Sequence, residues 1–368
     1  MIEIVEVKNS KELKNFLDLP KKIYVEENTK YVFPLMMHMK MMMGPLGKGQ
    51  KHFFVAKKNG QTVARLAAKV HRVGSKKTLN FGFFESLPDQ QEAVSALFES
   101  AQKLYPKLKM MGPFHFRMED PYIGVLVEGF EYDPYFLMPY NKPYYDELLK
   151  GVGLKIAMDL FTYEVKGEKV LSPLIHKGAK MAYASGVTIR KVNMKKIWEE
   201  ARTIARIFND ALSKNWGFEE FLDEQVKEMV MLFKLFIDPE VVAIAEKDGK
   251  PMGCLIMIPN YNPVIKASRG KITPGLVWRY LRRKKLVDSA RGYALGVLRQ
   301  YHGLGVGSAL TEKMFQWGEE EGYYSAEISW VLSNNGPMNE LSKAMGGQHS
   351  KVYRIYESQS VESISNKG

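Results

Sequence analysis

The sequence predicts an α/β chain (α+β in its segregation of elements) of two tandem domains, each a twisted mixed β-sheet flanked by helices. Three observations lead there. The 368 residues suffice for two separate cores. Apolar strand–turn–strand segments alternate with stretches of helical period. The first half also returns in the second. Ala56-Lys57-Lys58-Asn59-Gly60 before Ala64-Arg65-Leu66 recurs as Ala245-Glu246-Lys247-Asp248-Gly249 before Gly253-Cys254-Leu255, an offset of 189 residues. Glu147-Leu148-Leu149-Lys150 recurs as Glu340-Leu341-Ser342-Lys343, and Tyr163-Glu164 as Tyr356-Glu357, an offset of 193. Repeated spacing of this kind indicates a tandem duplication.

Composition sets the limits. Hydrophobic residues make up 45% and charged residues 26%, as in ordinary globular chains. No run of eighteen apolar residues exists, so no membrane span is expected. Met1-Ile2-Glu3-Ile4-Val5-Glu6-Val7 reads as a strand rather than a signal peptide. Cys254 is the single cysteine, which excludes an internal disulfide and a CxxC metal site. A cytoplasmic address is the expectation. The net charge of +12 suits nucleic acid, an anionic membrane, an anionic cofactor or plain solubility, and does not choose among them.

The elements follow in order. Residues 1–165 form the first expected domain, with a hairpin turning at Asn59-Gly60. Its strand Leu79–Phe84 leads into Glu85-Ser86-Leu87-Pro88-Asp89 and a helix reaching Tyr105. Asp89 is expected to cap that helix. Glu85 and Asp89 would repel a phosphate and no glycine occurs between Gly82 and Gly112, so this half is expected to be a scaffold or part of an acceptor pocket. Met36-Met37-His38-Met39-Lys40-Met41-Met42-Met43 reads as an adaptable apolar helix, for the core or for an acyl chain. A helical connector spans 166–185. The second domain, 186–368, opens with a strand at 186–190 and helices over 194–213 and 220–236. A hairpin over 241–258 and an insertion over about 259–288 come next.

The segment from Ala294 to Leu310 carries the chemistry: Ala-Leu-Gly-Val-Leu-Arg-Gln-Tyr-His-Gly-Leu-Gly-Val-Gly-Ser-Ala-Leu. An apolar strand enters a turn with glycines at 303, 305 and 307, and a helix over 308–321 follows, ending at Gly322. Glycines allow backbone N–H groups to approach a ligand, and a helix N-terminus attracts anions. Amides near 303–308 are thus expected to converge on a pyrophosphate. The spacing fits neither a Walker loop, which needs a lysine after the last glycine, nor Gly-x-Gly-x-x-Gly.

This segment resembles the acetyl-CoA loop of the GNAT superfamily of acyl-CoA N-acyltransferases. Either Gln300, Gly303 and Gly305 or His302, Gly305 and Gly307 match its Gln/Arg-x-x-Gly-x-Gly/Ala pattern. The strand over Ser325–Leu332, then Asn335 eleven residues before Gly346, and a closing strand over Val352–Tyr356 continue the family's element order. The resemblance implies acetyl-CoA or another acyl-CoA held by Val297, Leu298, Arg299, His302, Gly303, Leu304, Gly305, Val306, Gly307, Ser308 and Asn335. The thioester would lie in the splay between the strand ending near Leu298 and the one beginning near Ser325. It implies acyl transfer to a primary amine, which needs a base for the amine and an acid for the thiolate. Glu327 is the candidate base, with a water chain as its substitute. Ser342 stands where many members have the acidic tyrosine, and Tyr353 is the nearest tyrosine in sequence.

The acceptor stays open between a small molecule, a lipid and a peptide amine. A non-catalytic acyl-CoA binder, an aminoacyl-tRNA-dependent transferase and a lipid-precursor acyltransferase are the other readings. Trp278-Arg279-Tyr280-Leu281-Arg282-Arg283-Lys284-Lys285 admits RNA, the cofactor's 3′-phosphate or a lipid headgroup. It is also explained by the solvated face of a helix whose apolar side is Leu276, Val277, Tyr280 and Leu281. Asn209, Asn215, Trp216, Gly217, Phe218, Glu219 and Glu220 suggest either an acceptor contact or an inter-helix loop. No His-x-x-x-His spacing supports a metal site, and no Gly-x-Ser-x-Gly elbow supports a hydrolase.

Overall fold

A computed structural model of the chain describes residues 1–26, 29–46, 50–73, 76–116, 121–166 and 171–359. The described structure forms two compact units. The first comprises Met1–Leu160, Ser268–Ile272 and the chain from Lys351 on, and the second Phe161–Ala267 and Thr273–Ser350. Residues 167–170 of the expected connector lie outside the described residues.

In the first unit the order is β1 (Ile2–Glu6), α1 (Ser10–Ile23), α2 (Met36–Met43), β2 (Lys51–Lys58), β3 (Gln61–Val73) and β4 (Lys76–Ser86). Then come α3 (Gln91–Leu104), β5 (Lys109–Gly112), β6 (Val125–Glu128), α4 (Tyr145–Gly151) and the start of β7 (Lys155–Val165). Asn59 and Gly60 both take positive φ, 52° and 77°, so the β2–β3 hairpin closes through the tight turn that the Asn-Gly pair specifies. β1 to β4 are antiparallel, and β4 pairs in parallel with β5 from Thr78↔Lys109 to Asn80↔Met111. α3 buries Ala93, Val94, Leu97, Phe98 and Ala101 at helical spacing against this sheet's core. Asp89 is not the cap of α3. It takes φ 59° in the preceding turn, and Gln90 stands at the cap without a side-chain bond, because Pro88 sets a turn one residue ahead of the helix. In α2, Met39 and Met43 are core residues, while Met37 and Met41 face solvent.

The second unit contains the end of β7, α5 (Pro173–Ala184), β8 (Thr188–Lys191), α6 (Ile197–Ala211), α7 (Asp223–Phe236), β9 (Val242–Lys247) and β10 (Lys250–Pro259). α8 (Asn262–Ile265), α9 (Pro274–Leu281), α10 (Arg283–Leu286), β11 (Ser289–Val297), α11 (Val306–Glu320), β12 (Ser325–Leu332) and α12 (Gly336–Ala344) complete it. Its strand order is β7-β12-β11-β10-β9-β8, mixed in direction. Asp248 and Gly249 repeat the positive-φ turn at 50° and 70°. α6 presents Ile204, Ile207 and Phe208 to Ile244, Cys254 and Ile256 of the sheet. Burial pushes the Cys254 thiol up, so it behaves as an apolar side chain.

β13 (Gln348–Glu357) changes membership along its length. From Lys351 it belongs to the first unit, antiparallel to β6 at Tyr353↔Leu126 and to β5 at Tyr356↔Gly112. Correspondingly, Phe161–Val165 of β7 belong to the second. Among the described residues no helix is long and apolar enough to cross a membrane, and no His, Cys, Asp and Glu cluster could hold a metal.

Two histidines of the first unit give it a pH signature. Burial pushes His38 down to about 4 and His115 down to about 3, the latter with help from the Arg65 charge. An unfolded histidine titrates near 6.5. Between these values the unfolded chain binds protons that the folded chain refuses, so this stability is complete above pH ~6.5 and is lost as pH falls. Glu85, held up by burial, has the opposite sign, so the comparison is between parent and variant. Denaturant unfolding should show a decline that approaches about 1.4 kcal/mol per pH unit for each histidine between pH ~6 and ~5. His115→Gln should remove its share, and an unchanged slope would exclude that histidine.

Candidate functional site

The site is built at the junction of β11 and α11. Gly303 (φ 82°) and Gly305 (φ 76°) turn the chain, and Gly305 is the N-cap of the fifteen-residue α11 with no side-chain cap bond. The first intrahelical bond is Ala309 N–H to the Gly305 carbonyl, 3.0 Å. The amides of Val306, Gly307 and Ser308 therefore form the open first turn of a long helix, aimed where an anion would sit. Val306 is buried beneath the turn and Leu304 is exposed. His302 braces the turn, its Nε2 3.0 Å from the Val297 carbonyl oxygen. Leu298 N–H donates to the Met252 carbonyl at 2.8 Å and Arg299 N–H to the Asp210 carboxylate at 2.6 Å. Those two amides are thus spent on holding the loop, while the Arg299 guanidinium reaches the Ser213 hydroxyl.

Gly305 is fixed by packing as well as by φ. A Cβ there would stand 2.0 Å from the carbonyl oxygen of Gly178, on α5. In return, a Cβ on Gly178 would stand 2.5 Å from the Ser308 hydroxyl. The expected connector helix is therefore part of the loop's support. His176 and Glu312 tie α5 to α11 at 2.6 Å.

Behind the loop the sheet opens. β11 and β12 pair in parallel from Ser289↔Ser325 to Gly292↔Ile328 and no further. β11 meanwhile stays with β10 as far as Val297↔Gly253, with one extra residue, Tyr293, bulged between Gly292 and Ala294. The parted strands flank an open cleft. Its walls are mainly apolar: Leu255, Met257, Leu295, Met314, Phe315 and Met338. Asn215, which the sequence offered as an acceptor contact or a loop residue, joins Tyr293, Thr311, Ser329, Trp330 and Asn335 in supplying its polar atoms. The Thr311 hydroxyl and the Trp330 indole N–H are buried without a protein partner. A ligand that reaches them would remove a desolvation cost of about 1–3 kcal/mol each.

The candidate residues separate. Glu327 is fully buried, outside the cleft lining, at the register position of Arg291 on the neighbouring strand. Arg291 is equally buried, donates from Nε to the Ser329 hydroxyl at 2.9 Å and lies 4.2 Å from the Trp330 ring centre. Ser342 is buried in α12, where its hydroxyl donates to the Met338 carbonyl at 2.8 Å. Asn335 lines the cleft and caps α12, accepting from Met338 N–H at 3.2 Å. Tyr353 belongs to the first unit, where its hydroxyl donates to the Pro139 carbonyl at 3.3 Å. The structure thus places Asn335 on the cleft between the split strands and the glycine turn between β11 and α11, and leaves Tyr353 in the other unit. Asn209 is structural, its amide exchanging two hydrogen bonds with the Phe221 backbone. Tyr293, Thr311 and Trp330 were not read from the sequence, since a bulge and the lining of a cleft have no sequence period.

The close approach of Gly305 to Gly178 has a measurable consequence. Gly305→Ala combines left-handed strain with a backbone clash and should cost about 3 kcal/mol or more. Gly303→Ala meets open space and should cost only the strain, about 1–2 kcal/mol. Equal losses in denaturant unfolding would refute the packing constraint.

The sequence model of the acetyltransferase (GNAT) family matches residues 201–346. The chain is 28% identical over 377 aligned positions, covering 97% of both chains, to a protein of Caulobacter vibrioides named bacterial ceramide synthase. Its fold is similar to that of a tandem GNAT protein from the clavulanic acid biosynthesis pathway, with a TM-score of 0.56, 12% identity and coverage of 98% and 99%. A fungal multi-domain enzyme with a GCN5-related glucosamine N-acetyltransferase region gives a TM-score of 0.60 at 14% identity; 97% of this chain spans 38% of that one. With the glycine turn, the split strands and the repeated plan, these likenesses give the chain the tandem GNAT fold, with the GNAT family model matching residues 201–346 of its second unit.

Proposed function

We propose that this protein transfers a long-chain acyl group from coenzyme A to the primary amine of a long-chain amino alcohol. The observation that carries the reading is the cleft at the strand split, walled by methionine, leucine and phenylalanine. An acetyl donor and a small hydrophilic amine would leave such walls wet. Each buried methylene contributes about 0.8 kcal/mol, so four extra methylenes correspond to roughly two-hundred-fold in affinity. The name carried by the Caulobacter vibrioides relative points the same way.

In this reading the pyrophosphate rests on the amides of Val306, Gly307 and Ser308, with Gly303 and Gly305 giving it clearance. The thioester enters the split, where the edge of β11 beyond Gly292 has lost its β12 partner and offers backbone N–H to the carbonyl oxygen. The neutral amine attacks the thioester carbon, the C–S bond breaks, and the nitrogen sheds a proton to a water chain in the cleft. Tyr293 is the one phenol among the described lining residues and gives its proton to the departing thiolate. Ser342, committed to its helix, is left with a packing role, and so is Tyr353. Glu327 acts with Arg291 to hold the paired ends of β11 and β12.

Thiol release from acetyl-CoA and palmitoyl-CoA, each with a sphingoid base and with a panel of hydrophilic amines, tests this. The long-chain donor and the amino alcohol should raise kcat/KM by at least about tenfold. A preference for acetyl-CoA with hydrophilic amines would sink the reading. Tyr293→Phe should lower kcat on the order of a hundredfold with little change in KM for the donor. Full activity would remove Tyr293 from the chemistry.

A further inference from the structure

The insertion between β10 and β11 exposes a surface that neither the fold nor the transfer reaction uses. The sequence led us to expect the apolar side of this segment to be covered. In the structure only Leu276 of that side is buried. Val277, Trp278 and Leu281 are 50%, 55% and 74% exposed, and Leu286 beyond them is 38% exposed. The same stretch, 273–287, carries Arg279, Arg282, Arg283, Lys284 and Lys285 and no acidic residue. Lys284 pairs with Glu321 at 3.2 Å. Among the described residues no carboxylate reaches salt-bridge distance of Arg279, Arg282, Arg283 or Lys285. Arg282 lies 4.5 Å from the Trp278 ring centre and Arg283 4.6 Å from that of Tyr280.

We propose that α9 and α10 dock this protein peripherally on an anionic lipid bilayer. The two halves of the patch match the two layers of such a surface. Val277, Leu281 and Leu286 offer aliphatic bulk to the acyl boundary, and Trp278 is the residue type that settles at headgroup depth. The unpaired cations meet lipid phosphates, with their stems lying over the apolar residues. A single-stranded RNA would need open ring faces for stacking. Here Arg282 and Arg283 already cover Trp278 and Tyr280, and the exposed leucines and valine have no part in base recognition.

Flotation of the full-length protein with vesicles of phosphatidylcholine alone, and of phosphatidylcholine mixed with phosphatidylglycerol, at low and high salt tests the docking. The parent should float with the anionic vesicles and be released by salt. Arg282→Glu combined with Arg283→Glu and Lys285→Glu should weaken partitioning on the order of a hundredfold or more. Trp278→Ser with Leu281→Ser keeps every charge and should still weaken it by at least about tenfold. Unchanged thermal melting shows that both variants are folded. Equal partitioning to both vesicles, parental partitioning by either variant, or retention of a labelled RNA without vesicle binding overturns the proposal. Docking does not rest on the proposed acceptor. With a detergent-dispersed substrate both variants should release thiol at the parental rate, so a lost vesicle interaction and a failed transfer reading are told apart.

Discussion

The second unit depends on one event in its sheet: β11 and β12 stop pairing at Gly292 and Ile328. A parallel pair that continued would satisfy its own amides and leave no space for a ligand. Two features keep the opening from spreading or closing. At the paired end, Arg291 and Glu327 face each other in register, both fully buried. A slip of one residue would turn both polar side chains to the opposite face of the sheet, so their burial fixes the register there. At the open end, the Tyr293 bulge twists β11 while its bonds to β10 persist. The strand therefore keeps one partner and offers its other edge to the cleft.

The glycine turn stands under a second constraint, the contact with α5. Gly178 and Gly305 leave no room for a Cβ on either side. A helix that reads in sequence as a spacer is thus a wall of the anion turn. Its ties to α11 include Tyr183, whose hydroxyl donates to the Ala309 carbonyl at 3.4 Å. A site made of backbone amides gains affinity from rigidity, because donors that need no reordering on binding lose little entropy there. The packing of α5 supplies that rigidity without adding a side chain to the site.

Local chemistry was legible and long-range geometry was not. Asn59-Gly60 and Asp248-Gly249 announced their hairpins because the turn geometry itself demands positive φ. Gly303 and Gly305 announced the turn before α11 for the same reason, whereas Gly307 lies inside the helix, which starts two residues earlier than its expected first residue, 308. The helix face of Ile204 and Phe208 followed from period alone. What stayed hidden depends on partners distant in sequence. Ser342 has the right offset for a proton donor, yet its hydroxyl bonds one helical turn back to Met338. The closing strand was correctly expected near Val352–Tyr356, but no local signal tells that Tyr353 pairs with Leu126. The exposure of Val277 and Leu281 was equally unreadable, since amphipathic period predicts a covered side and not what covers it.

The repeat shows how one plan diverges. In the first unit β4 also carries an extra residue against β3, between Arg65↔Glu85 and Ala67↔Gly82. There too a buried arginine faces a buried glutamate in register, at 3.6 Å. The following gap is narrower, a pocket lined by Phe83, Phe84, Glu85, Pro113 and His115. Phe114 N–H donates to the Phe81 carbonyl at 2.7 Å, and a Cβ on Gly82 would stand 1.6 Å from the Phe114 carbonyl oxygen. The residues ahead of α3 then supply Pro88 and Asp89 where the second unit has glycines. The bulge belongs to the scaffold of this fold, because it recurs where no glycine turn follows. Only the second copy has the glycine turn, so that turn is what separates the two copies of the plan.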